Sequence, residues 1–127
     1  SCCLGLAWRG GASKFRHGPL DLKLHDHPLS KGFGKLGFID ESYWNLVGDA
    51  KDIQLLASGV EEGVAQPLIW TRQQGKGRAF VSIPGHYTWT FDDPLFRVLI
   101  LRGICWSAGQ PMDRMAELAM VGARVLD

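Results

Sequence analysis

Leu20, Leu22 and Leu24 alternate with Asp21, Lys23 and His25, the period-two pattern of a strand with one wet face. The pattern ends at His27-Pro28. Lys31 to Gly37 carries three glycines and reads as irregular. Phe38-Ile39 then leads into Asp40-Glu41-Ser42-Tyr43-Trp44, which reads as a short strand running into a loop. Ile53 to Ala57 is a second apolar run of strand length, closed by Ser58-Gly59 and the polar stretch Glu61-Glu62-Gly63.

Pro67 to Arg72 and Arg78 to Ile83 are rich in strand formers, and Gln73-Gln74-Gly75-Lys76-Gly77 supplies glycines for a tight loop, so residues 67–83 are predicted to form an antiparallel hairpin. Pro84-Gly85-His86 breaks its second strand and places His86 just beyond the strand end. Asp93 is a candidate N-cap for a helix that opens with Pro94, where a missing N–H costs nothing, and that ends near Ala108 with Gly109 as its stop. Only Arg97, Arg102 and Ser107 interrupt the apolar surface of that helix, which predicts packing on more than one side. Asp113 to Met120 reads as a short final helix and Val121 to Asp127 as an extended tail.

Composition narrows the class. The 127 residues are 46% hydrophobic, enough for one buried core. The 14 Lys and Arg balance 13 Asp and Glu, and no basic cluster interleaves with aromatics, which argues against nucleic acid or an anionic membrane as partner. The apolar run Val98 to Ile104 is interrupted by Arg102 and falls well short of the roughly 20 residues of a membrane span. Three cysteines, without a Cys-x-x-Cys spacing, fit a reduced, cytoplasmic setting. The start at Ser1 has no secretory signal and reads as a cut or fragment boundary.

Three segments read together resemble the ThuA-like (trehalose utilisation) family: Asp40-Glu41-Ser42-Tyr43; Pro67-Leu68-Ile69-Trp70-Thr71-Arg72 with Gly75-Lys76-Gly77-Arg78; and Gly85-His86 followed by Asp93-Pro94-Leu95-Phe96-Arg97. His27-Pro28 upstream and Arg102-Gly103-Ile104-Cys105-Trp106-Ser107-Ala108-Gly109 downstream add to the pattern, which is strongest over residues 16–112. The resemblance implies a class I glutamine amidotransferase-like fold: a flavodoxin-like α/β three-layer sandwich with a mostly parallel sheet and ligands beyond the strand ends. It also implies that residues 1–127 are a single partial domain, its C-terminal part, whose opening βαβ units are missing. Partners are then a sugar and either the missing N-terminal half or a second copy of the chain. The resemblance leaves the cofactor open.

His86 occupies a position similar to that of the catalytic histidine in the amidotransferase relatives, and it suits a general base, a metal ligand or a hydrogen-bond partner for a sugar. The bland reading is that Gly85-His86 turns the chain. Asp40 and Glu41 form the family's acidic motif. On a strand they point to opposite faces and cannot form a paired-carboxylate site by themselves, whereas in a loop they could; Glu41 is read as a functional or site-shaping acid and Asp40 as structural or substrate-binding. Tyr43 and Trp44 are candidates for stacking on a sugar ring, and Trp70 and Arg72, two apart on one strand face, line a pocket or merely pack. His17, His25 and His27 with Asp26 invite a metal reading, but nothing further fixes a coordination geometry. Gly75-Lys76-Gly77-Arg78 lacks the strand-to-helix setting of a phosphate loop and reads as a turn. Asp92 and Asp93 belong to a helix start, and Cys105 reads as an inert buried thiol.

Two functional classes follow. One is an enzyme domain of carbohydrate metabolism acting on a disaccharide or an oxidised sugar by proton transfer, with His86 and Glu41 catalytic. The other is a non-catalytic binding or interaction domain on the same scaffold. Glutamine amidotransfer is disfavoured because no Cys-His-Glu set can be assembled.

Overall fold

The computed structural model describes residues 3–122. Strands β1 (Leu6–Ala7), β2 (Lys14–Leu24), β3 (Lys35–Trp44), β4 (Val47–Gly48), β5 (Gln54–Glu61), β6 (Val64–Gln74) and β7 (Gly77–Ser82) precede one α-helix, α1 (Pro94–Ser107). Short 3-10 turns occupy Pro28–Ser30, Ala50–Asp52, Thr88–Asp92 and Ala116–Met120. Five strands form one sheet in the order β3-β2-β5-β6-β7, and β1 pairs with β4 in a separate two-stranded ribbon.

Every strand pairing among the described residues is antiparallel. The mostly parallel, helix-covered sheet of the flavodoxin-like expectation is therefore not what these residues form, and the reason lies in the connections. Glu62-Gly63 joins β5 to β6 and Gly75-Lys76 joins β6 to β7, and two-residue turns can connect only antiparallel neighbours. Glu62 (φ 51°) and Gly63 (φ 78°) both adopt positive φ, as a tight hairpin matched to strand twist requires.

The hairpin predicted over 67–83 is present, with Gln74 opposite Gly77, and its first strand begins earlier, at Val64. Three other boundaries are corrected. β2 extends upstream to Lys14, β3 takes in Lys35–Gly37 and runs as strand through Asp40–Trp44, and β5 continues through Ser58-Gly59 to Glu61. In each case a partner strand supplies hydrogen bonds to a segment whose local composition reads as a loop. β2 and β3 pair from Lys14↔Trp44 to Lys23↔Lys35, whereas β2 and β5 meet only at Lys23↔Ser58 and Leu24↔Ala57. Two long hairpins thus share a narrow seam, and Arg16 Nε reaches Glu61 Oε2 at 2.7 Å across the gap beyond it.

α1 starts as its sequence dictates: the Asp93 carboxylate accepts the Phe96 N–H at 2.8 Å, with Pro94 following the cap. Phe96, Leu99 and Gly103 are buried along one face, against a core that includes Leu20, Leu22, Leu36, Leu56 and Ile69. Each such buried leucine or phenylalanine contributes about 1.5–3 kcal/mol. Gly103 lets the helix approach β7, since a Cβ there would stand 2.4 Å from Cγ of Phe80. The segment after α1 folds back as the 3-10 turn Ala116–Met120, shorter than the predicted final helix, and Arg97 Nη1 holds the Ala119 carbonyl at 3.3 Å. Most of the predicted tail, residues 123–127, lies outside the described residues. No helix among the described residues is long and apolar enough to cross a membrane.

Candidate functional site

The register of β2 and β3 determines which side chains meet. His17 lies opposite Glu41 and Phe15 opposite Tyr43. Directly opposed residues of an antiparallel pair share a face, so these four project from one side of the hairpin. Leu20, Leu22, Leu36 and Phe38, at the other parity, enter the core beneath α1.

Glu41 is the centre of this outer cluster. Its side chain is 5% exposed, with Oε2 2.8 Å from His86 Nδ1 and Oε1 3.2 Å from His17 Nε2. The Tyr43 hydroxyl donates to Oε2, and the Tyr87 hydroxyl bonds His17 Nδ1. With Glu41 ionised, one proton arrangement satisfies every contact: Tyr87 O–H donates to His17 Nδ1, while His17 Nε2–H and His86 Nδ1–H donate to the carboxylate. His86 Nε2 then carries a lone pair and, among the described residues, has no partner; its side chain is 48% exposed. The Tyr43 hydroxyl is pushed up to about 12, first by its hydrogen bond to Glu41, then by burial and by the charge on Glu41. It stays a proton donor at neutral pH.

Asp40 delivers the loop that carries His86. It is fully buried, and its Oδ1 accepts from the N–H groups of Glu41 (2.6 Å) and His86 (3.1 Å). Its Oδ2 accepts from the Gly85 N–H (2.8 Å) and the Thr90 hydroxyl. Gly85 itself has φ 128°, a conformation that disfavours a side chain. Trp89 Nε1–H reaches the Ile39 carbonyl at 2.9 Å, so the 85–90 segment lies along the edge of β3. Asp40 is thus a scaffold for the site, its oxygens occupied within the chain, and it does not present them to a ligand.

The remaining predicted residues divide. Tyr43 joins the cluster, its ring near those of Phe15 (centroids 6.1 Å) and Trp8 (5.6 Å). Trp44 is buried on the opposite face of β3, where its Nε1 reaches Glu62 Oε2 at 3.3 Å, and it is not part of the cluster. Trp70 is buried, with Nε1–H on the Leu4 carbonyl at 2.7 Å. Arg72 pairs with Asp52 at 3.5 Å.

The three histidines of the metal reading go to different places. His17 joins Glu41, His25 Nε2 bonds Ser58 Oγ at 2.7 Å, and His27 Nε2 bonds Thr71 Oγ1 at 2.8 Å. His27 Nδ1 also accepts the Leu29 N–H, and burial lowers the His27 pKa. Among the described residues, no group of three or more His, Cys, Asp or Glu could hold a metal ion. Arg78, in the glycine-rich turn, lies over Trp106 and bonds its carbonyl at the end of α1, and Cys105 is buried within that helix.

Tyr87, Phe15 and Trp8 were not legible as site residues, and His17 was singled out only as part of the metal reading. The usable signal was the alternation of Phe15 and His17 with Lys14 and Arg16, hidden by Gly18-Pro19 between them and the leucine pattern.

The family model described as trehalose utilisation, ThuA, matches residues 4–107. This chain belongs to the ThuA family. The description of that family connects the domain with a carbohydrate-related role. A crystal structure of a protein from Parabacteroides merdae ATCC 43184, termed ThuA-like, matches with a TM-score of 0.66 and 26% identity over 84% of this chain. The chain spans 48% of the length of that protein. Among curated proteins, none matches.

Proposed function

We propose that this ThuA-family domain binds a sugar, a disaccharide or an oxidised derivative of one, at the Glu41 cluster and moves a proton on it with His86. The observation that carries the reading is the 2.8 Å contact of His86 Nδ1 with the nearly buried Glu41 carboxylate, which leaves Nε2 as a basic nitrogen with access to solvent. A carboxylate behind one imidazole nitrogen holds ring and tautomer in place and stabilises the cation formed when the other nitrogen takes a proton. The proton would come from a sugar hydroxyl, or from a C–H beside a carbonyl in an oxidised sugar. Phe15, Trp8 and Trp89, each about half exposed around the cluster, offer flat apolar faces to a sugar ring. Tyr43 and Tyr87 offer hydroxyls.

In this reading the chain is the C-terminal part of a longer flavodoxin-like domain. Its coverage of about half of the P. merdae protein supports a longer whole, and the C-terminal position and the flavodoxin-like arrangement rest on the family resemblance alone. Glutamine amidotransfer has no support from the described cysteines, since Cys105 is buried in α1 and Cys3 is exposed, and neither contacts an imidazole.

The test is His86→Ala assayed on a panel of disaccharides and their oxidised forms. Turnover should fall by about 10²- to 10⁴-fold, the range for loss of a general acid or base. Unchanged turnover defeats the proposal. Binding that weakens in the variant while the parent chain turns over no sugar favours a non-catalytic sugar-binding domain instead.

A further inference from the structure

Beside the Glu41 cluster lies an apolar cavity of about 250 Å³. It is partly open to solvent and is lined by Trp70, Val81 and Ile83 of the sheet and by Leu4 and Leu6 of the β1 segment. The β1 segment is held in place by the Trp70 indole N–H on the Leu4 carbonyl and by the β1–β4 ribbon, where Leu6 pairs with Gly48. Tyr43 belongs to both places: its ring lines the cavity and its hydroxyl bonds Glu41. Trp8 also lines the cavity and packs edge-on against Tyr43 at 5.6 Å. A sugar ring seated at His86 would therefore lie about one tyrosine ring away from an apolar chamber.

Resting on the sugar-binding reading above, we propose that the ligand of this site is a glycoside bearing an apolar aglycone, with the sugar at Glu41 and His86 and the aglycone in the Tyr43–Trp70 cavity. Size supports this occupant. An engineered apolar cavity of about 150 Å³ takes up benzene, so 250 Å³ accommodates a phenyl group or a short alkyl chain. Chemistry supports it as well. Sugar hydroxyls need polar partners when desolvated, which the cavity lining named above does not supply, whereas hydrocarbon transferred there leaves water at a gain. A second bare sugar ring, as in an unmodified disaccharide, fits this lining poorly.

The experiment is titration calorimetry of the full chain with methyl, phenyl and hexyl glucosides, in both anomers, and with trehalose. Phenyl or hexyl glucoside should bind at least tenfold more tightly than methyl glucoside. Val81→Phe, and separately Ala7→Leu, which fill the cavity from two different strands, should reduce that ratio toward one. His86→Ala should weaken all the glucosides together. Equal affinity for methyl and phenyl glucosides overturns the cavity assignment and leaves sugar binding intact. So does a ratio that survives in a folded filling variant. Failure of every glucoside, of trehalose and of the oxidised disaccharides of the turnover panel to bind defeats the sugar-binding reading, and the aglycone assignment with it.

Discussion

Asp40 and Glu41 are adjacent, carry the same charge and are both buried, yet β3 turns them to opposite faces and gives them different work. On the inner face Asp40 joins Leu36 and Phe38, where α1 and the 85–90 segment close over it, and backbone N–H groups and the Thr90 hydroxyl hold both its oxygens. On the outer face Glu41 is held by His86, His17 and Tyr43, whose own protons can move. A carboxylate fixed by backbone donors organises a loop, whereas one fixed by imidazoles and a phenol tunes proton affinity. The histidines repeat the contrast. His27, inside, has both nitrogens bonded and a lowered pKa, while His86, outside, keeps Nε2 open.

The same chemical change at the two acids should separate them most widely. Asp40→Asn turns an N–H donor toward groups that are themselves donors, and each unsatisfied buried group costs about 1–3 kcal/mol, so a loss of about 2–4 kcal/mol is expected in urea unfolding. Glu41→Gln should change stability by only about 1 kcal/mol, because its partners are partly exposed and can turn to water. It should nonetheless lower turnover by about 10²-fold. Equal stability losses would erase the distinction between the two carboxylates.

Next in size is Gly103→Ala on the inner side, which drives a methyl group into the Phe80 ring and should cost about 1–3 kcal/mol by overpacking. A melting temperature equal to that of the parent would mean that α1 sits farther from β7 than the geometry here requires.

Acidification should act through the inner histidine. The pKa of His27 is lowered in the folded chain, so the unfolded chain binds more protons just below the ordinary value of 6.5. Its contribution to stability is therefore complete above that value and declines as pH falls through and below it. Melts at about pH 7.5 and about pH 5.5 should show a smaller pH-dependent drop in His27→Gln than in the parent. An unchanged drop would assign the acid sensitivity to another group.

The smallest effect is spectroscopic. Tyr43, pushed up to about 12 chiefly by its bond to Glu41, should ionise at lower pH in Glu41→Gln, read from phenolate absorbance. A Tyr43 titration unaffected by the substitution would break the link between the two residues.

Much of the frame was legible because it is local. The leucine alternation from Leu20 to Leu24, the glycines between β6 and β7, the Asp93-Pro94 start of α1 and the break at Pro84-Gly85 each act through their own backbone or nearest neighbours. His86 and Glu41 were named as candidates from the family pattern, whereas the opposite orientation of Asp40 and Glu41 was decided only when pairing with β2 made that segment strand. The extension of β2 to Lys14 was not legible, because Gly18-Pro19 looks like a strand end until β3 pairs with it. Trp44 and Tyr43 look equally suited to a sugar ring in sequence, and only the buried face of β3 tells them apart.

The sequence by itself determined the hairpin, the helix with its cap, the net charge of +1 and membership of the ThuA family, all of which depend on residue type and short spacings. Only the tertiary structure decided that the sheet among these residues is antiparallel and that His25 and His27 part from His17. It alone placed His17 and Tyr87 beside Glu41 and put an apolar chamber behind Tyr43. The physical reason is register: Glu41 and His17 are 24 positions apart and His86 farther still, and pairing between strands brings such distant side chains to one face, which no local pattern specifies.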